Sequence, residues 1–140
     1  MKERIKDPQA APGSQEPPEL AGTLSKVRAL RNRKEDWDGH GSMAPDLDAV
    51  SHAVAWIREM YHDRASLEQA WIEPNVASSE KGEVVFEWWR GHKKLTVYVS
   101  ATSADYVKVW GTDILNDMED GSLSDSARRE MWVWLTTDRT

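Results

Sequence analysis

The sequence predicts an α+β domain: a helical pair and a C-terminal helix packed on one antiparallel β-meander of three to four strands. Three observations carry this. Apolar residues recur every three or four positions from Glu19 to about Lys34 and again from Asp46 to His62, the period of a helical stripe. From Trp71 to Trp110 the period falls to two, with turn residues between the alternating runs. After Ser124 helical spacing returns at Ala127, Met131, Trp134 and Leu135, with Trp132 on a different side.

The chain has 140 residues, enough for one domain with one real core. Residues 1–18, with Pro8, Pro12, Gly13, Ser14, Pro17 and Pro18 among polar neighbours, show no apolar period and read as a disordered arm. The domain then spans 19–140. The first helix carries Leu20, Leu24, Val27 and Leu30 on one side, and Lys26, Arg28, Arg31, Arg33 and Lys34 elsewhere. Cations in its last turn suit the negative end of the helix dipole, which explains most of that charge without a ligand.

Asp36-Trp37-Asp38-Gly39-His40-Gly41 joins this helix to the next. Gly39 and Gly41 permit the positive φ of a tight reversal, and Asp36 and Asp38 can accept backbone N–H groups within it. Trp37 reads as the plug that pins the loop to the core, so Trp37, Asp38, Gly39 and Gly41 are structural candidates. Pro45 suits the first turn of the second helix, with Asp46 and Asp48 near its positive end. Leu47, Val50, Val54, Ile57 and Tyr61 form its stripe, and Ala49, Ala53, Trp56 and Met60 widen it.

A first strand over Trp71–Ala77 is interrupted by Pro74 and reads as an edge. Glu83–Arg90 and Lys94–Ser100 follow as a hairpin about Gly91-His92-Lys93, and then comes Tyr106–Trp110. Alternation assigns Val84, Phe86, Trp88, Leu95, Val97, Val99, Val107 and Val109 to the face that meets the helices. Glu87, Trp89, Thr96, Tyr98, Tyr106, Lys108 and Trp110 fall on the other. The acidic stretch from Asp113 through Asp117, Glu119 and Asp120 reads as a short helix capped by Gly121.

With Pro45, Gly82 and Val85-Phe86-Glu87-Trp88, the loop resembles that of a largely uncharacterised group of small bacterial proteins. These carry a "WDGYGA…P" loop and a "G-x-hydrophobic-E-W" strand. The likeness covers roughly residues 20 to 110, with His40 standing where an aromatic is commoner and Ser42 where Ala is. It implies no catalytic residue. Its association with mobile or variable gene sets points to a regulator or inhibitor of the antitoxin, immunity or anti-defence kind.

Composition excludes several classes. The absence of cysteine rules out disulfides and Cys-ligated metal sites and fits a cytoplasmic protein. No apolar run approaches a membrane span or a signal-peptide h-region, so no membrane partner is expected. A net charge of −6 disfavours general phosphate-backbone binding. No cofactor motif is present, and no metal site is expected because Asp38 and His40 supply too few ligands, and His52 and His62 fall on different helix faces.

The leading expectation is therefore a non-enzymatic protein that binds a protein partner. Trp89, Tyr98, Tyr106, Lys108 and Trp110 would form an aromatic sheet face, beside acidic Asp113, Asp117, Glu119 and Asp120. The competing structural reading covers these aromatics with the C-terminal helix, and the burial of Trp89 and Trp110 separates the two. A second function is single-stranded nucleic-acid binding on the same aromatics with Lys93, Lys94 and Lys108. A third is a small enzyme using Asp38 and His40, or Glu87 and His92 across the hairpin.

Overall fold

The computed structural model describes residues 16–137, and the chain enters its first helix, α1, at Pro18. Of the expected arm, residues 1–15 lie outside the described residues. Glu16 does not: its carboxylate pairs with the Arg58 guanidinium. Helix α1 (Pro18–Ala29) has proline in its first turn, where the missing N–H costs nothing. It tightens into a 3₁₀ turn at Leu30–Asn32, so the helical run ends short of Lys34. Leu20, Leu24, Val27 and Leu30 are all buried.

Helix α2 (Leu47–Ser66) is capped by Asp46, whose carboxylate accepts the Asp48 and Ala49 N–H groups. Pro45 lies before that cap rather than in the first turn. The helix also runs one turn beyond His62, which was expected near its end.

Five strands follow: β1 (Asn75–Ser78), β2 (Val84–Arg90), β3 (Lys93–Val99), β4 (Ala104–Val109) and β5 (Met118–Ser122). They form one antiparallel sheet in sequence order, and α3 (Asp125–Thr136) closes the chain. Pairing of β1 starts only after Pro74, which has no N–H to give to a ladder. Gly91 (φ 61) opens the two-residue β2–β3 turn, whose flanking residues Arg90 and Lys93 are paired. The acidic segment is not a helix. One turn at Asp113–Asp117 leads into β5, and Gly121 is a strand residue whose added Cβ would lie 3.2 Å from the Tyr106 ring.

The core lies between the helices and one sheet face. Val84, Phe86, Trp88, Leu95, Val97 and Val99 supply the sheet side, with at most 1% exposure. Its centre is tryptophan. Trp132 of α3 is fully buried, stacks on Trp71 (centroids 5.2 Å, planes 8° apart) and meets Trp88 edge-on at 6.0 Å. Trp56 of α2 stacks on Phe86 at 5.7 Å, and the Trp88 indole donates to the Ile72 carbonyl at 2.7 Å. Trp132 is thus the main anchor of α3, where the helical spacing put Trp134 on the packed face and Trp132 elsewhere.

A buried ion cluster fixes the other side of α3. Arg128, 7% exposed, donates to Asp63 of α2 at 2.6 Å and to Asp125 at 3.2 Å. Burial of the cation is offset by these charge-assisted bonds. At the far end α3 has no basic residue in its last turn. The β2–β3 hairpin supplies the cations instead: Lys93 Nζ donates to the Trp134 and Thr137 carbonyls at 2.7 and 2.6 Å. No helix among the described residues is long and apolar enough to cross a membrane.

Trp132→Ala should lower the unfolding free energy by about 3–5 kcal/mol, since the indole leaves a cavity that Trp71 and Trp88 cannot both fill. Urea denaturation followed by circular dichroism measures this. Gly82→Ala should cost more than about 1 kcal/mol. Gly82 has φ 84, and an added Cβ would lie 2.8 Å from the Ala44 carbonyl oxygen.

Candidate interaction surface

Residues opposite one another in an antiparallel pair share a face, so the register sorts every candidate side chain. On β3 the buried apolar residues are Leu95, Val97 and Val99. Their partners on β4 are Lys108, Tyr106 and Ala104. The expected faces of β4 are therefore exchanged. Val107 and Val109, assigned to the core, sit on the outer face; Tyr106 and Lys108, assigned outward, sit on the helix side. Trp110 continues this phase, with its ring 6.3 Å from Trp134 of α3. The cause is the β3–β4 turn over residues 100–103, where Ser100 N–H bonds to the Ser103 carbonyl and aligns Val99 with Ala104.

The expected aromatic face thus divides in two. Trp89 and Tyr98 remain outside, while Tyr106, Lys108 and Trp110 turn inward. The outer face forms three cross-strand rows. One holds Trp89, Lys94, Val109 and Met118; the next Glu87, Thr96, Val107 and Asp120; the third Val85, Tyr98, Asp105 and Ser122. No helix among the described residues packs on it: Trp89 is 56% exposed and Met118 40%, while Thr96 of the middle row is buried.

Lys94 lies over the Trp89 ring, 4.7 Å from its centroid, and 3.1 Å from Glu87. Glu87 also accepts the Trp89 indole N–H at 3.0 Å. Burial pushes the Glu87 carboxyl up, and these two donors outweigh it and hold the group below its usual range. Trp89 is in this way oriented by its own neighbours while one ring face meets solvent. Glu87 is bound within the outer face by Lys94 and Trp89, and His92 sits at the exposed hairpin tip.

On the helix side, Tyr106 donates to Glu119 Oε2 at 2.5 Å, and Lys108 reaches the same oxygen at 3.5 Å. Lys93 and Lys108 each lie 5.2 Å from the Trp134 ring centroid. Lys93, Lys108, Trp110, Glu119 and Trp134 line an open cleft of about 320 Å³ beside α3. Three of the expected partner-binding residues, Tyr106, Lys108 and Glu119, are in this way bonded to one another.

Beyond Val109 the β4–β5 connection carries Asp113 and Asp117. Asp117 Oδ2 accepts the Asp113 N–H at 3.1 Å, and Asp113 accepts from Leu115 N–H at 3.0 Å and the Asn116 amide at 2.7 Å. The Asn116 amide, then the Leu115 N–H, hold the Asp113 carboxyl below its usual range. Both acids shape the loop rather than standing free. What they present is Ile114 and Leu115, 74% and 89% exposed. Two apolar residues isolated among acids are a signal visible in the sequence, outside the expected aromatic face.

The Asp36–Gly41 loop is a turn locked from within. Asp36 (φ 60) accepts the Gly41 N–H at 2.6 Å, and Asp38 accepts the His40 N–H at 2.9 Å and the Ser42 hydroxyl at 2.5 Å. Gly39 and Gly41 adopt φ 77 and 79. The Ser42 hydroxyl is the main reason that Asp38 titrates below its usual range. Asp38 touches His40 only through the backbone. Trp37 does not enter the core: half-buried, it donates to the Met43 carbonyl at 3.0 Å beneath the Arg33 guanidinium.

No group of three or more metal-ligating side chains occurs among the described residues. Comparison with family models, curated proteins and solved structures found no match to the chain.

The Glu119 carboxylate pushes the Tyr106 hydroxyl up to about 12. The folded state favours neutral Tyr106, so this contribution to stability is complete below pH ~10, the ordinary tyrosine value, and is lost as pH rises through 12. Glu119 is held low by the same bond, so its contribution is present above the usual glutamate range and lost as pH falls through its folded value. In Glu119→Gln, Tyr106 should titrate back near ~10, read by NMR of ring-labelled tyrosine.

Proposed function

We propose that the chain acts by binding a protein partner, as an inhibitor or regulator that occupies a surface rather than as a catalyst. The observation that carries this reading is the uncovered sheet face. Trp89, Val109, Met118, Val107 and Tyr98 make it aromatic and aliphatic, and the three helices of the described residues are all engaged on the opposite side. Exposed tryptophan held by a lysine and a carboxylate has the composition of an interface anchor. Its ring is already oriented, so less side-chain entropy is lost on binding.

Charge favours protein over single-stranded nucleic acid. On the three rows Lys94 stands alone against Glu87, Asp105 and Asp120, and Lys94 is already paired. Lys93 and Lys108, which a stacking platform would need beside Trp89, face α3 instead. An enzyme centred on Asp38 and His40 has no support from a loop whose carboxylate bonds are all internal.

The test is affinity capture on the tagged full chain, with and without nuclease, comparing wild type with Trp89→Ala and with Leu47→Ala as a control exposed on α2. A protein that survives nuclease and is retained at least tenfold less by Trp89→Ala, about 1.4 kcal/mol, supports the reading. Equal retention by all three chains, or capture of nucleic acid alone, overturns it.

A further inference from the structure

We propose that the β4–β5 tip, Ile114 with Leu115, is the anchor that seats in an apolar socket with a cationic rim on the partner protein. This rests on the protein-binding reading above and adds where the partner is gripped and what its surface is made of.

Three features converge. The first is exposure: Leu115 and Ile114 are the most exposed large apolar side chains of the described chain, and neither belongs to the core. The second is rigidity. Six hydrogen bonds hold the loop between Trp110 and Asp117. The Asp117 N–H donates to the Asp113 carbonyl at 2.6 Å, and the Asn116 N–H to the same oxygen at 3.1 Å. The Trp110 N–H donates to the Asp117 carbonyl at 3.0 Å. The Asp113 and Asp117 carboxylates account for the others, receiving the Leu115 N–H, the Asn116 amide and the Asp113 N–H. Gly111 completes the packing, since an added Cβ would fall 2.3 Å from Asp117 Oδ2. A tip so organised presents its two side chains without first having to fold, which removes an ordering cost from binding.

The third feature is charge. Asp113, Asp117, Glu119 and Asp120 lie within eight residues of chain that include the tip, from 113 to 120; Lys108 offsets Glu119, and the other three leave this segment acidic. A socket for it therefore has an apolar floor and a rim of lysine or arginine. An anionic lipid surface is repelled by the same carboxylates. A second copy of the chain offers a poorer socket: Arg28 and Arg31 on and after α1 are exposed beside Ala21, Gly22, Ser25 and Ala29, Arg33 already covers the Trp37 ring, and Arg129 on α3 has Val133 alone as an exposed large apolar neighbour one turn away. A foreign protein remains, and the tip lies at the same end of the sheet as the Trp89–Met118 row, so one partner can cover both.

The experiment uses three full-length chains, each with the photo-crosslinker benzoylphenylalanine in place of Leu115, Trp89 or Leu47. Each is irradiated in a lysate of the source cells. The Leu115 chain should give a discrete protein adduct that excess wild-type chain abolishes and excess Ile114→Ser/Leu115→Ser chain does not. Circular dichroism first establishes that this double variant is folded. Mass spectrometry should map the adduct to a peptide with apolar residues flanked by Lys or Arg. Its yield should fall about fivefold or more between about 50 and 500 mM NaCl. A competable adduct from Trp89 but none from Leu115 overturns the tip anchor and leaves the protein-binding reading standing. No competable adduct from either overturns both. An adduct mapped to an acidic surface, one competed equally by the double variant, or recovery of the chain on phosphatidylglycerol vesicles in place of protein also overturns the proposal.

Discussion

The packing of Trp132 between Trp71 and Trp88 is the contact on which the remaining architecture depends. It lays α3 on the same sheet face as α1 and α2, and so concentrates all helical cover on one side. Indole surface of this size, removed from water at the centre of a small domain, outweighs any single polar contact nearby. Arg128 with Asp63 and Lys93 with the last carbonyls of α3 then set the angle of the helix at its two ends. Among the described residues the outer face carries no helix as a direct consequence.

How that bare face came to differ from a simple aromatic platform is a matter of register. The four-residue turn after β3 places Tyr106, Lys108 and Trp110 toward α3, and valines replace them outside. A cation that a nucleic-acid surface would need is thereby spent inside the molecule. Lys108 lies against Trp134 and Glu119, and Lys93 caps a helix. The surface left for recognition is apolar with a carboxylate margin.

Carboxylates serve two purposes along the chain, and the distinction follows from what their oxygens accept. In the Asp36–Gly41 loop and again at Asp113–Asp117, aspartates bind backbone N–H groups and define turns. Those turns place half-buried Trp37 against Arg33 in the first case and exposed Ile114 and Leu115 in the second. Asp120 lies on the open sheet face, where its charge bears on whatever approaches.

Much of the architecture was legible in residue spacing. Leu20, Leu24, Val27 and Leu30, or Val84, Phe86 and Trp88, repeat a period that only one element can bury, and composition alone ruled out disulfides and cysteine-ligated metals. The α+β class with helices on an antiparallel sheet follows from such local patterns. Spacing did not disclose the phase of β4, because shifting a strand by one residue leaves its alternation intact while exchanging its faces. Nor did it disclose β5, whose Met118–Ser122 run has no apolar alternation and becomes a strand only because β4 offers an unpaired edge. Spacing likewise set Trp132 off the packed side of α3, where only contact with Trp71 and Trp88 reveals it as the buried anchor, while Trp134 packs at the margin of the core as expected. Local sequence determined which elements form; pairing and packing between distant elements decided which side chains face the solvent, and with them the candidate surface.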